Sequence, residues 1–360
     1  MTRYQVPVGP LHVALEEPMY FKLDLEGETI KGLHISAGHV HRGVEYLVMK
    51  RNFYQNITLT ERICSLCSNS HPTTFCMALE DIAGVEVPER GQYLRMIADE
   101  IKRVASNLFN VGIMAHIIGF TSLFMHVLET REIVQDIKET LYGNRMDLGA
   151  NCIGGVKYNL DSERIAYLLT RLDEVQPAVE EIRGIYATNH SILTRTRGVG
   201  VLPREDALEF GLIGPVARGS GVAYDVRKNS PYAMYDRLDF AIQTQPDGDV
   251  WSRAMVRLDE VRMALSIIRQ CLAQLPDGPI AVSGMPDIPA GEAIAKTEAP
   301  RGELIYYLRT NGTDMPERMK WRVPSYPNWD ALHIMMQGNT IADVALIVNS
   351  IDPCVSCTER

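Results

Sequence analysis

The chain has 360 residues, 46% hydrophobic and 22% charged, a balance too apolar for disorder and too mixed for a bilayer protein. Its 36 Lys+Arg against 45 Asp+Glu leave a formal net charge of −9 with no basic run, which excludes a protein that tracks nucleic-acid phosphates. Seven cysteines, sparse and odd in number, exclude a secreted disulfide scaffold, and residues 1–18 show no apolar core of signal length.

In chain order, Met19, Phe21, Leu23 and Leu25 alternate with Tyr20, Lys22 and Asp24. Glu26-Gly27-Glu28 then reads as a turn before Ile30, Leu33 and Ile35, which predicts a β-hairpin. Residues 40–83 have apolar positions at helical spacing, broken near Cys64 and again at Pro72, so two helices flank a turn that carries cysteines. Leu94, Ile97, Ile101, Val104, Leu108 and Val111 recur every three or four residues and predict a helix over 92–115. From Asn107 to Thr130 only Glu129 is charged, and the length suits a bilayer span of about 20 residues. The polar load of Asn107, Asn110, His116, Thr121, Ser122 and His126 favours instead a central helix covered by others in a soluble bundle, and so a cytoplasmic chain.

Asp161 is placed to cap a helix over 163–186, with a break or kink at Pro177, and Asp249 to open another through Leu275. Residues 197–250 read as irregular. Residues 280–330 are Pro/Gly-rich with a second hairpin, Glu303–Leu308 and Lys320–Val323 around an Asn311-Gly312 turn. A short apolar helix over 340–351 stops before Pro353. The expected fold is α+β and predominantly helical, a central long-helix bundle with small peripheral β-hairpins or sheets. It forms one unit over 1–360, with an N-terminal hairpin (1–36), a helical core (40–275), a β-containing region (276–330) and a C-terminal helix and metal loop (338–360).

Two pairs, Cys64-Ser-Leu-Cys67 and Cys354-Val-Ser-Cys357, carry the chemistry. Each places two sulfurs on one turn, and together they make a four-thiolate site; Cys76, Cys152 and Cys271 read as core thiols. Structural zinc, an iron–sulfur cluster and a catalytic soft-metal site all stay open. A zinc ribbon is disfavoured because its pairs lie about 15–20 residues apart, whereas here most of the chain separates them. Arg62, His71 and Asp352 beside the cysteines suit a site that moves protons.

Arg42-Gly-x-Glu45 followed by Arg62-x-Cys64-x-x-Cys67-x-x-x-His71 resembles the first signature of NiFe-hydrogenase large subunits, and Asp352-Pro-Cys354-x-x-Cys357-x-x-Arg360 the second. Gly9-Pro-Leu-His12, Leu15-Glu-Glu17-Pro18 and Glu298-Ala-Pro-Arg301-Gly302 resemble the energy-converting, membrane-associated branch, relatives of the complex I quinone-site subunit. The resemblance implies the NiFe-hydrogenase large-subunit fold. It implies a nickel held by Cys64, Cys67, Cys354 and Cys357, with Cys67 and Cys357 bridging to an iron that bears cyanide and CO. Glu17 matches the acid beside a terminal nickel cysteine and is the expected first proton relay, with His12 joining that path; a capping or solvent-facing role is the alternative for the acid. His71 is expected to donate to a bridging sulfur, Arg301 to contact one cyanide and Ser325 the other, and Arg62 and Asp352 to hold the two loops by charge-assisted hydrogen bonds. His34, His39, His41, His190 and His333 default to structural roles.

The implied reaction is H2 ⇌ 2H+ + 2e−, run mainly towards proton reduction on the cytoplasmic side of a membrane. The implied partners are an iron–sulfur small subunit, membrane ion-translocating subunits and a ferredoxin-like donor linked to CO dehydrogenase. Two positions depart from the pattern. Ser65 stands where many relatives have Gly, which changes loop packing and removes no ligand. Arg360 stands where the usual His shares a magnesium with the Glu45 position, and a guanidinium has no acceptor for a cation, so a Glu45–Arg360 ion pair is expected in place of magnesium. The rival readings are a complex-I-like coupling subunit without NiFe, a zinc scaffold protein and a thiol–disulfide enzyme.

Overall fold

The computed structural model describes residues 3–12, 15 and 17–360; Glu16, in the Leu15–Pro18 motif, lies outside the described residues. Strands β1 (Arg3–Val8), β2 (Tyr20–Glu26) and β3 (Thr29–Ser36) form an antiparallel sheet in that order. The expected hairpin is β2–β3, closing on the pair Glu26–Thr29. In β2, Phe21, Leu23 and Leu25 are buried while Tyr20, Lys22 and Asp24 are half-buried, as a period of two demands. The third strand, β1, escapes a pattern search because it is an edge strand with Arg3, Tyr4 and Gln5 all exposed.

Helix α1 (Phe53–Glu61) opens on a reciprocal cap, Asn52 with Gln55. Helix α2 (Ser70–Ala83) contains Pro72 in its first turn, where a missing N–H costs nothing, so that proline starts a helix rather than breaking one. The long helix α3 (Glu89–Ile118) runs through the interior, and α4 (Thr121–Tyr142) packs back against it. The apolar stretch 107–130 is therefore two helices and not the single central one expected. Gly119 ends α3 at φ +90°, a conformation that other residues adopt only at a cost. Among the described residues no helix is long and apolar enough to cross a membrane.

Helix α5 (Ser162–Thr188) is capped by Asp161 and continues through Pro177; α6 (Val250–Ala273) is capped by Asp249. The stretch between them carries several short helices. A second antiparallel sheet follows, β4 (Ala290–Ala299), β5 (Gly302–Asn311) and β6 (Pro316–Arg322), so the expected hairpin is its β5–β6 half. Helices α7 (Val344–Ser350) and α8 (Val355–Glu359) end the chain. The chain is thus α+β and mostly helical, with α3 enclosed by α4, α6 and α7.

The apolar interior forms two clusters. One fills the helix bundle and the face of the first sheet; the other lies among α1, α2 and the second sheet and includes all four CxxC cysteines. Between them run buried ions. Arg95 grips Glu80 with both nitrogens at 2.8 and 2.9 Å, Arg218 pairs with Glu260 and Glu298, and Arg227 pairs with Asp225 and Glu100. Removing one partner of such a pair strands a charge out of water, at about 3–5 kcal/mol.

Candidate metal centre

The first CxxC loop follows the C-terminus of α1, and the second precedes and opens α8. Asp352 makes the turn into the second loop at φ +52°, a left-handed conformation that Asp tolerates better than most residues. Cys354 caps α8, its Sγ accepting from Cys357 N at 3.3 Å. The result joins the two ends of the polypeptide: the sulfurs of Cys64, Cys67, Cys354 and Cys357 all lie within 4.8 Å of one another, with Cys67 and Cys357 at 3.6 Å. Cys67, Cys354 and Cys357 are at most 5% exposed, and Cys64 is 8% exposed. Burial, and the crowding of Cys64 and Cys67, hold the thiols of Cys354 and Cys357 well above their ordinary range. Four sulfurs kept so close in a dry setting are a donor set for a soft cation, which would draw the protons off.

Arg42 ties the loops together. Its guanidinium donates to Ile63 O at 2.6 Å in the first loop and to Ser356 O at 3.2 Å in the second. Arg62, expected in that role, instead pairs with Asp147 at 2.8 Å and with Glu61, and is about half exposed. It caps α1 and its side chain reaches out to the 147 loop, although it still lines the cavity described below. Lys102, on α3, holds the first loop from inside, donating to Ser65 O and Met146 O at 2.7 Å. Burial brings its amine down to about 8.

Asp352 does bind a partner, but the partner is Arg301 rather than the first loop. Arg301 Nε donates to Asp352 O and Nη2 to Asp352 Oδ1, both at 2.7 Å. The turn that bears Arg301 is bolted to α3, where Arg103 donates to Ala299 O and Glu298 O. It is also pressed against Gly214, where a Cβ would stand 2.0 Å from Arg301 O. Arg301 is buried, and its Nη1 finds no hydrogen-bond partner among the described residues. Arg301, Cys64 and Cys354 line one cavity of about 510 Å³, together with Glu17, Arg42 and Arg62.

His71 sits with Nε2 3.4 Å from Cys357 Sγ and Nδ1 2.7 Å from the Tyr306 hydroxyl. Ser325 Oγ accepts from Cys354 N at 3.0 Å. Glu17 Oε2 accepts from Val355 N at 2.6 Å and Ser356 N at 3.1 Å, and Oε1 accepts from the Ser356 hydroxyl, so this acid caps α8 one residue beyond Cys354. Of the alternatives set out above the structure shows the cap, and Glu17 also lines the cavity that Cys64 and Cys354 line. His12 is exposed and does not line the sulfur cavity; its carbonyl accepts from Leu15 N. The structure does not bring it to the sulfurs.

The expected Glu45–Arg360 contact is present, Arg360 Nε donating to Glu45 Oε1 at 2.9 Å, and Lys320 joins the same carboxylate. Burial alone would raise the Glu45 carboxyl, but Lys320 and Arg360 hold it below its ordinary value. A second clamp, absent from the sequence reading, lies nearby: Glu359 accepts from Gly38 N and Val40 N at 2.6 Å, and its carbonyl lies 2.5 Å from His41 Nδ1. Arg42, Tyr306 and Glu359 were missed. Only Arg42 had a signal, its place in the R-G-x-E motif.

An enclosed four-sulfur set with one open, arginine-lined side is unlike a closed structural ion site. Set in this helical bundle, it is the donor set of a soft-metal centre with one open side. Family models place the chain accordingly. The 49 kDa subunit of respiratory-chain NADH dehydrogenase matches residues 118–287 and 281–360, and nickel-dependent hydrogenase matches residues 42–110. A carbon monoxide-induced hydrogenase of Rhodospirillum rubrum is 65% identical over all of both chains. Subunit alpha of the membrane-bound hydrogenase of Pyrococcus furiosus is 37% identical over 99% of this chain and 87% of that one. A chain of the membrane-bound sulfane sulfur reductase, an archaeal respiratory membrane complex, superposes with a TM-score of 0.94 at 31% identity, covering 99% and 98% of the two chains. The chain belongs to the family of energy-converting hydrogenase large subunits and their complex I relatives.

Proposed function

We propose that the chain is the catalytic subunit of a membrane-associated NiFe hydrogenase that reduces protons to dihydrogen reversibly, coupled to ion translocation. The observation that carries this reading is the convergence of four sulfurs from opposite ends of the chain, with Cys64 and Cys354 lining one open cavity. Cys64, Cys67, Cys354 and Cys357 would hold nickel. Cys67 and Cys357, the pair 3.6 Å apart, would be shared with an iron bearing CO and cyanide. The residues fit that group, because the unpaired Nη1 of Arg301 offers a buried donor to an acceptor in the sulfur cavity, and the Ser325 hydroxyl beside Cys354 offers another. When bound, the nickel–iron group supplies the redox centre at which dihydrogen is formed or split.

The protein's own groups do the rest. His71 directs a ring nitrogen at Cys357 and tunes that sulfur. Glu17, held by two amides of α8, takes protons from the neighbourhood of Cys354 and passes them outward. Arg301 and Asp352 keep the cavity wall polar and fixed. Among the described residues the four cysteines form the one metal-capable cluster, so electrons would come from an iron–sulfur small subunit. That subunit would be charged by a ferredoxin-like protein linked to CO dehydrogenase. Membrane ion-translocating subunits would anchor the assembly on the cytoplasmic face.

A second reading is favoured by the match of residues 118–360 to the 49 kDa subunit: a quinone- or redox-coupling subunit without nickel. Elemental analysis with infrared spectroscopy separates the cases. About one nickel and one iron per chain, with bands of metal-bound CO and cyanide, supports the hydrogenase. Zinc without such bands gives the scaffold reading, and neither metal gives the coupling subunit.

A further inference from the structure

A buried group of polar side chains joins α3, α6 and the turn before the second cysteine loop. Asn107 and Asn110 stand one turn apart on α3. Asn107 Nδ2 donates to Glu260 Oε2 at 3.2 Å and reaches Arg257 O at 3.4 Å. Asn110 Nδ2 donates at 3.0 Å to Asn349 O, which also accepts from Asp352 N at 2.8 Å. On α6, Arg253 Nε donates to Ser350 Oγ at 2.9 Å, and Arg257 follows one turn later. These contacts bring α3, α6 and the 349–352 turn together, with Asn110 and Asp352 meeting at one carbonyl and Asn107 touching the backbone of Arg257.

Five polar atoms there find no hydrogen-bond partner among the described residues: the side-chain oxygens of Asn107 and Asn110, Asp352 Oδ2, and Nε and Nη2 of Arg257. All four side chains are at most 1% exposed. Arg257 spends only Nη1 on the protein, donating to Arg253 O at 3.1 Å. Burial works against its charge, and Asp352 is the acid that does most to sustain it. Three buried acceptors and two buried donors without protein partners, on segments that touch one another, are the pattern that buried water resolves, since each molecule makes about three hydrogen bonds.

We propose that Arg257 is a positioning residue for the sulfur site: through ordered water shared with Asn107 and Asn110 it holds the free oxygen of Asp352, and so fixes the Arg301 guanidinium over the cysteines. Asp352 is gripped from two sides, directly by Arg301 and through water by Arg257. Arg301 Nε is already held by the backbone carbonyl of Asp352, so what the second grip fixes is the side-chain torsion of Asp352 and with it the contact to Arg301 Nη2.

The water arrangement stands apart from the nickel–iron reading, and only the spectroscopic readout rests on that reading. A high-resolution structure of the intact complex should show water bridging Arg257 Nε or Nη2 to Asp352 Oδ2. A dry pocket, or a direct Arg257–Asp352 contact, overturns the proposal whatever metal the site holds. In the purified complex, Arg257→Met should keep full nickel content, shift the infrared bands of the diatomic ligands and lower H/D exchange about ten-fold. Arg257→Lys should restore both towards wild type. Wild-type bands and exchange in a fully loaded Arg257→Met complex overturn it. Should that variant not assemble, Arg257→Gln takes its place: a lost or relocated water at Asp352 Oδ2 with shifted bands supports the proposal, and unchanged water with unshifted bands overturns it. A wild-type complex without nickel or bands defeats the hydrogenase reading, and the water positions still decide this one.

Discussion

His71 stands between Cys357 and Tyr306, with one ring nitrogen 3.4 Å from the sulfur and the other 2.7 Å from the phenol. The phenol fixes which ring face and which nitrogen the sulfur meets, as in other sites where a metal ligand is oriented by a residue behind it. Tyr306 is itself locked by stacking on Trp321, with ring centroids 5.4 Å apart. We predict that Tyr306→Phe retains the fold but lets the imidazole turn, lowering metal retention or hydrogen evolution by about 10–100-fold. Metal content and H2 production together check it, and wild-type values for both would remove Tyr306 from the site.

Cys354→Ser should abolish nickel loading, because a hydroxyl is a harder and weaker ligand than a thiolate. Arg42→Ala tests the same convergence from a residue that contacts no metal. Losing its contacts to Ile63 O and Ser356 O frees the two loops from each other and should lower nickel per chain. Nickel analysis of both variants is the measurement. Full loading in Cys354→Ser would refute the ligand assignment.

Glu17→Gln replaces a carboxylate by an amide of the same shape, whose oxygen still accepts from Val355 N and Ser356 N. The helix cap is kept and the exchangeable proton is lost. The expected outcome is unchanged metal content with H/D exchange reduced by about 10²–10⁴-fold, the range for a positioned acid–base group. Exchange at wild-type rates would show that protons leave by another route.

The Glu45–Arg360–Lys320 cluster gives a pH dependence of definite sign. The folded-state carboxyl sits below its ordinary value of 4.5, so its stabilising effect is complete above 4.5 and is lost as the pH falls through the folded value. Protection of residues 355–360 against hydrogen exchange, taken relative to the intrinsic rate at each pH, should therefore fall at low pH, and Glu45→Gln should lower it already at neutral pH. Because the pair is partly exposed, the change should shrink in high salt. Exchange in that segment that ignores both pH and Glu45→Gln would mean the C-terminus is held by the Glu359 clamp alone. A metal ion refined between Glu45 and Arg360 would replace the ion-pair account.

The sequence by itself determined the secondary elements with strong local signals: the β2–β3 hairpin and the helices opened by Asp161 and Asp249. It also determined which four cysteines matter, because two CxxC pairs are local chemistry that survives any tertiary arrangement. The resemblance to the two signatures, with Arg360 in the place of a histidine, predicted the Glu45–Arg360 pair. Only the tertiary structure decided what those groups meet. The break at Gly119, the edge strand β1 and the β4 strand had no period to announce them. Arg42 rather than Arg62 joins the cysteine loops, and Asp352 turns to Arg301, because a side chain's partner is set by where its helix cap or turn aims it, which composition and spacing do not encode. Tyr306, Glu359 and Arg257 lie hundreds of residues in sequence from some of their partners, or act through groups that only folding brings near. Their roles arise from packing alone.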